Sequence, residues 1–374
     1  MQSRVIKILQ FPLRDNRGGT TQYILRNWYF IDKTRFHFDF ATLSSNLFCE
    51  EALHKEGCQV FHVPCYAETN PNEFYQSFIN ILKNSYDVVH LHTGRWQSRL
   101  AEKAAVDSHI PKIIIHAHTQ SINAETEDQR VLYREQHEKM VASLTTDIAT
   151  DYWACSRAAA HFLFGNKIPQ DKIRIMLNAI ELERFSYNSE MRQRIRSELN
   201  LKDYFVIGHI GRFAYPKNQE FILHLSRKII ASNPNIRFVF VGEGSNLDKC
   251  KKYIIANNLT EHIIFTGFRN DTENMLQAFD AFVLPSFFEG FPLSLLEAQA
   301  AGLHCYVSDS ITQETNIANH VTFLPLDESV WAEALLEASR RPYIRENMYG
   351  AMTEAGFNIR YQIKEIEKGY RGEL

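Results

Sequence analysis

Short apolar runs alternate with longer segments of helical spacing along the whole chain, and that alternation most constrains the fold. Parallel strands need a crossover between neighbours, usually a helix, and strands covered on both faces read as near-continuous apolar runs. One series of such runs comprises Val5–Gln10, Phe36–Leu43, Gln59–Val63, Val88–His92, Lys112–Ala117, Tyr152–Ala154 and Ile173–Met176. A second comprises Tyr204–Ile210, Arg237–Val241, His262–Thr266, Ala281–Leu284 and Cys305–Ser308, with helical spacing over Asn218–Ala231, Asn246–Asn257 and Leu293–Ala301. Between the series lies Asn178–Lys202, whose stretch Ser189–Arg196 is polar and charged. The pattern predicts two doubly wound, Rossmann-like α/β domains facing across a cleft: residues 1–180, a linker over 181–202, and residues 203–356. Residues 357–374 are expected to form a helix that packs back on the first domain. Open sheets of this kind bind ligands outside the carboxyl ends of their strands.

A length of 374 residues agrees with two domains. Forty-one Lys+Arg against 44 Asp+Glu give a formal charge of −3, without the basic excess of a general nucleic-acid binder. The cysteines at 49, 58, 65, 155, 250 and 305 show no C-x-x-C pair and read as scattered reduced thiols. Met1–Leu9 holds no apolar stretch of signal-peptide length, and no window approaches a membrane span. The expectation is a cytoplasmic protein, with peripheral contact at the inner face of the cell membrane left open.

The most informative segment runs from Leu284 to Gly302. It leaves a strand, turns at Glu289-Gly290, passes Phe291 and opens a helix at Pro292, read as the first helical position because its missing N–H has no partner there. The amides of Leu293 and Ser294 then point out of the helix start, where the dipole favours an anion. With Glu289 in the turn and Glu297 in the helix, carboxylates for hydroxyls stand beside amides for phosphate, which suits a polyol phosphate. A second segment, Gly208–Asn218, places Arg212 and Lys217 in a loop between a strand and a helix. A rigid guanidinium fork and a mobile ammonium together match a leaving diphosphate that gains negative charge.

Glu289 and Glu297, with seven residues between them, resemble the E-x(7)-E motif of retaining glycosyltransferases with the GT-B fold. The string SFFEGFPLSLLEAQAAG is similar to the large "family 4", the group 1 enzymes of capsule and exopolysaccharide synthesis. The resemblance implies that Glu289 contacts the donor sugar's hydroxyls and Glu297 the nucleotide ribose. Arg212 and Lys217 resemble the family's G-R-x(4)-K-N element and take the diphosphate clamp, with Pro216 replacing the usual Gln. Gly242, in Val241–Gly244, resembles a strand–Gly-x-Gly loop near the nucleotide, although a tight turn explains those glycines equally well. Phe268 and Arg269 fall in the loop that meets the base. In the first domain, Gly18 and Gly19 resemble a loop contacting donor phosphate and sugar, and His118 a histidine close to the reacting carbon. Ala179 and Glu181 depart from the family's N-G-I-D element.

His90, His92, His116 and His118 form two H-x-H pairs at strand ends. A metal role lacks an acidic or Cys partner at usable spacing, so hydrogen-bonded histidines at a sheet edge are favoured. No D-x-D clamp follows a strand, and neither a metal nor another cofactor is expected. The resemblance implies transfer of a hexose or N-acetylhexosamine from a nucleotide-diphosphate sugar, with UDP favoured, to a glycan or lipid-linked acceptor hydroxyl. It also implies retention of anomeric configuration, for which same-face attack is the expected route. Trp28, Tyr29, Arg95, Trp96 and Arg99 could line an acceptor site, touch a membrane surface, or be ordinary core and surface. Two alternatives stay open: a catalytically inactive nucleotide-sugar binding or scaffold protein of the same fold, and a phosphorylase carrying pyridoxal phosphate. Transfer activity separates the first, and a cofactor absorbance band the second.

Overall fold

A computed structural model describes residues 4–124, 126–317, 319–341 and 345–374. The chain divides into two compact units, one of residues 1–178 with 359–374, the other of residues 179–358. In the first unit β1 (Ile6–Leu13), β2 (Phe36–Thr42), β3 (Val60–His62), β4 (Val88–Thr93), β5 (Lys112–Ala117), β6 (Asp151–Ala154) and β7 (Ile173–Ile175) pair in the order β3-β2-β1-β4-β5-β6-β7. In the second, β8 (Phe205–Ile210), β9 (Ile236–Val241), β10 (Ile263–Phe265), β11 (Ala281–Leu284), β12 (Cys305–Ser308) and β13 (Val321–Leu324) pair as β10-β9-β8-β11-β12-β13. Every strand pairing among the described residues is parallel.

Each sheet is therefore doubly wound. Strand order reverses between β1 and β4 in the first and between β8 and β11 in the second. Ligand crevices form at such switch points because the loops leaving the two neighbouring strands diverge to opposite faces. The strand series anticipated all of these strands except β13. That short edge strand, Val321–Leu324, lies between His320 and Pro325.

The stretch expected as a linker, 181–202, is folded into the second unit as the helices Leu182–Phe185 and Ser189–Glu198. Several of its charges are paired: Arg184, Arg192, Arg196 and Glu198 each hold an ion pair. Arg196, 7% exposed, donates 3.0 Å to Asp280 Oδ2 and 2.9 Å to the Ala278 carbonyl. Arg192 also pairs with Asp280 and reaches the carbonyls of Gln277 and Phe279 at 3.0 and 2.8 Å. Asp280 in turn accepts the Val206 amide at 2.7 Å, so two arginines lock this helix to the start of β8.

The closing helix, Ile359–Arg371, belongs to the first unit. Its Tyr370 ring lies 5.8 Å from Phe38 and 5.8 Å from Trp153, centroid to centroid. Gly369 permits that approach, since a Cβ there would stand 2.4 Å from the Trp153 ring. The second unit's core includes Ile207, Phe213, Phe238, Phe240, Val283 and Trp331. Gly208 in β8 lets the Phe279 ring lie against the strand, where a Cβ would come within 2.0 Å of it.

Candidate active site

The second unit gathers its candidate residues on loops leaving the carboxyl ends of β8, β9, β10 and β11. The β8 loop carries Arg212 and Lys217, and the β11 loop carries Glu289, so both sides of the switch point are chemically equipped. The two loops are tied together. The Phe287 amide donates 2.9 Å to the Pro216 carbonyl, Asn218 Nδ2 donates 3.1 Å to the Pro285 carbonyl, and the Tyr215 and Phe287 rings stack at 4.9 Å. Asn218 caps the following helix in the left-handed region, φ 51°, a conformation asparagine tolerates better than most residues.

Within this frame Lys217 Nζ donates 2.6 Å to Glu289 Oε1, and Ser286 Oγ donates 2.7 Å to the same oxygen. The lysine stem passes over Gly211, where a Cβ would lie 3.4 Å from its Cδ. Both partners of the ion pair are largely buried, with side chains 21% and 13% exposed. Arg212 is exposed, and its guanidinium makes no hydrogen bond or ion pair among the described residues. Its backbone is held from below: Gln219 Nε2 donates 2.9 Å to the Arg212 carbonyl and lies 3.2 Å from His209 Nε2. His209 donates from Nδ1 to the Val283 carbonyl at 2.9 Å, and burial pushes its pKa down to about 4, so Nε2 is an acceptor.

Pro292 is the N-cap of the helix Leu293–Ala300, not its first residue. The cap carbonyl takes the Leu295 and Leu296 amides at 3.2 and 3.3 Å. A proline cap has no side-chain oxygen to offer the first amides, unlike Ser, Thr, Asp or Asn. The helix start is thus locally suited to an anion at Leu293 and Ser294. Glu297 is half-buried one turn on, and Gly290 is buried in the turn. Phe291 is 5% exposed and stacks on Phe357 at 5.4 Å, so its side chain belongs to the core.

The remaining positions divide. Gly242 has φ +138°, and a Cβ there would lie 2.2 Å from the Gly211 carbonyl oxygen. The next glycine, Gly244, has φ +151° and a Cβ position 2.3 Å from the Phe213 carbonyl oxygen. Close packing of the β9 loop on the β8 loop accounts for both glycines, through the Phe213-to-Glu243 and Gly211-to-Val241 backbone bonds of 2.8 and 3.0 Å. Phe268 is 41% exposed on the β10 loop, and its amide lies 3.4 Å from Glu243 Oε1. Arg269 is committed elsewhere: it pairs with Asp271 at 2.8 and 2.9 Å and with Glu198 at 3.0 Å, which raises its pKa. Its sequence neighbourhood could not reveal Glu198, a distant residue on the helix read as linker.

In the first unit, Gly18 caps the helix Gly19–Phe30 after β1, with its amide 2.9 Å from Asn16 Oδ1. A Cβ on Gly19 would meet nothing within 4 Å. His118 follows β5, partly buried, with its amide 3.3 Å from the Thr93 carbonyl. Burial pushes its pKa down to about 3, and that of His90, His92 and His116 well below the ordinary value. Potential ligand nitrogens of these last three lie within 4.8 Å of one another, which could suit a metal ion. Both nitrogens of His90 and of His92 are hydrogen-bonded, however, and a metal would have to displace those partners. Of the residues considered for an acceptor site, Trp96 is core, fully buried with its indole N–H 2.7 Å from the Leu163 carbonyl. Arg99 is fastened to Ser143 at 3.0 Å, whereas Tyr29 is 67% exposed and Arg95 lies 3.9 Å over the Tyr133 ring.

Two doubly wound parallel sheets in one chain make the GT-B architecture of glycosyltransferases. The solved structure of Anabaena Alr3699/HepE in complex with UDP and glucose has this fold, covering 98% of this chain and 95% of its own at TM-score 0.70 and 15% identity. The family described as Glycosyl transferases group 1 matches residues 191–358. The Bacillus subtilis (strain 168) chain designated glycosyltransferase EpsF is 30% identical over 96% of this chain and 94% of its own. An Escherichia coli UDP-Gal:alpha-D-GlcNAc-diphosphoundecaprenol alpha-1,3-galactosyltransferase is 31% identical over 81% of this chain and 79% of its own. The chain belongs to the group 1 glycosyltransferases.

Proposed function

We propose that the protein moves a hexose or N-acetylhexosamine from a nucleotide-diphosphate sugar, with uridine as the base, to a hydroxyl of a glycan or lipid-linked acceptor. The observation that carries this reading is the cluster at the second sheet's switch point. Arg212, Lys217 and the Leu293–Ser294 amides offer positive charge to a diphosphate, and Glu289 offers an acceptor to sugar hydroxyls. Leaving-group charge is stabilised best by preorganised donors, and two cations with a helix start supply them without a metal. Glu297 is read as the ribose contact and the Phe268 loop as the neighbour of the base. Arg269 is read as a brace for that loop.

Retention follows by same-face attack: the departing phosphate oxygen takes the acceptor hydroxyl's proton as the new glycosidic bond forms and the anomeric carbon–oxygen bond breaks. The E. coli relative's named acceptor supports a lipid-diphosphate-linked glycan in polysaccharide assembly. Work from the cytoplasmic side with peripheral membrane contact fits that acceptor; no helix among the described residues is long and apolar enough to cross a membrane. A thermal-shift panel of UDP, GDP, ADP, dTDP and CDP, with and without Mg²⁺, tests the donor. A ligand at 100 times its dissociation constant adds about 2.7 kcal/mol. A shift confined to UDP and independent of Mg²⁺ is expected, and no shift from any nucleotide overturns the reading. An inverted anomer in the product, read by NMR, overturns the stereochemistry.

A further inference from the structure

Six side chains of the first unit, brought from three strands, the loop after β5 and the closing helix, are joined end to end. His118 Nε2 lies 2.9 Å from His92 Nδ1, and His92 Nε2 lies 2.7 Å from Gln10 Oε1. Gln10 Nε2 donates 3.0 Å to the Tyr370 hydroxyl, which lies 2.9 Å from His90 Nδ1. His90 Nε2 lies 3.1 Å from His116 Nδ1. Gln10, His90, His92 and His116 are at most 5% exposed, and burial keeps their surroundings hostile to charge.

A neutral imidazole has one N–H and one lone pair, so each ring in such a chain must point its proton one way. The orientation of the Gln10 amide, with Oε1 turned to His92 and Nε2 to Tyr370, sets the direction, and the reverse orientation would run every proton the other way. The Gln10 carbonyl oxygen can only accept, so His92 carries its proton on Nε2 and presents a bare Nδ1. Only an Nε2–H on His118 can meet that lone pair, which leaves His118 Nδ1 bare. In the other direction the Gln10 amide donates to Tyr370, whose own proton goes to His90 Nδ1. His90 then donates from Nε2 to His116 Nδ1. The chain ends on His116 Nε2, which in this order carries a proton and has no hydrogen-bond partner among the described residues.

We propose that this chain, directed by Gln10 and Tyr370, fixes His118 as its Nε2–H tautomer, so that Nδ1 accepts a hydrogen bond from a hydroxyl of the bound donor sugar. Tyr370, on the closing helix, is then a positioning residue for a side chain at the carboxyl edge of the first sheet. The hydroxyl contact rests on reading His118 as a donor-sugar residue; the tautomer does not.

The test is two-bond ¹⁵N–¹H correlation on the full chain labelled with [¹⁵N]histidine, with His118 assigned from the signal lost in His118→Gln. In the unaltered protein His118 should show a protonated Nε2 and a bare Nδ1. Tyr370→Phe keeps the ring against Phe38 and Trp153 but breaks the chain, and should move both His118 nitrogens toward averaged shifts. Its kcat should fall with KM for the sugar nucleotide unchanged. Gln10→Leu, which cuts the chain next to His92, serves if Tyr370→Phe does not fold. A protonated Nδ1 or an averaged signal in the unaltered protein overturns the proposal. So does a His118 signal unmoved by breaking the chain, or stoichiometric metal held by His90, His92 and His116 in the purified protein. Averaged tautomers with transfer untouched would leave the chain standing and remove His118 from the donor site.

Discussion

Lys217 Nζ lies 2.6 Å from Oε1 of Glu289, so the mobile cation of the β8 loop and the carboxylate of the β11 loop hold each other. By sequence alone the two residues are separate contacts, one for diphosphate and one for sugar. Their pairing couples the two halves of the candidate donor site. It also places the lysine within reach of both, since an ammonium on a four-carbon stem can exchange one oxygen for another.

Glu289→Gln removes the charge that restrains Lys217 while keeping a side chain of the same shape. UDP should bind at least as tightly as to the unaltered enzyme, while transfer falls about 10- to 100-fold, the scale of a hydrogen bond to a charged group. Calorimetric titration with UDP beside turnover of the sugar nucleotide reads both. A parallel loss of affinity and turnover would assign Glu289 to the nucleotide instead.

Arg212→Ala should behave in the opposite way. Its exposed guanidinium has no partner to leave stranded among the described residues, so thermal stability should hold. UDP affinity should drop about 10- to 100-fold, the worth of a charge-assisted hydrogen bond. Unchanged UDP affinity would place the diphosphate elsewhere.

Two glycines separate ligand contact from folding. Gly208→Ala forces a methyl group into the Phe279 ring and should cost about 1–3 kcal/mol, seen as a lowered denaturation midpoint. Gly19→Ala meets open space at the start of a helix, so stability should be kept or slightly raised. A loss of sugar-nucleotide binding in a fully stable Gly19→Ala would report close approach of the ligand to that backbone. Binding equal to the parent's would remove Gly19 from the site.

The buried histidines predict a stability that depends on pH. His118 is held down to about 3 and His209 to about 4, both by burial, while unfolded histidines titrate near 6.5. Above pH 6.5 the rings are neutral in both states and the contribution is fully present. Below it the unfolded chain takes up protons that the folded chain refuses, so stability is lost as pH falls from 6.5 toward 3–4. The slope approaches about 1.4 kcal/mol per pH unit for each such histidine. Urea midpoints at pH 8, 7, 6 and 5 should therefore be level at first and then fall. A level series to pH 5 would show that these rings protonate without unfolding.

What the sequence by itself determined was local. Apolar runs and helical spacing marked twelve of the strands, because a strand covered on both faces must be apolar wherever it sits. The motif spacing put Arg212, Lys217, Glu289 and the Leu293–Ser294 amides on loops at strand ends, because a turn and a helix start are decided by neighbouring residues. The tertiary structure decided whatever depends on a partner far along the chain. Lys217 meets Glu289 across 72 positions, and Arg269 is claimed by Glu198 across 71. The charged stretch 189–198 looked like a linker until Asp280 supplied its counter-charge. Tyr370 completes the histidine chain from 280 residues away. A side chain's hydrogen-bonding vacancy is a property of its surroundings, and folding sets those surroundings when it brings distant strands and the closing helix into one buried layer.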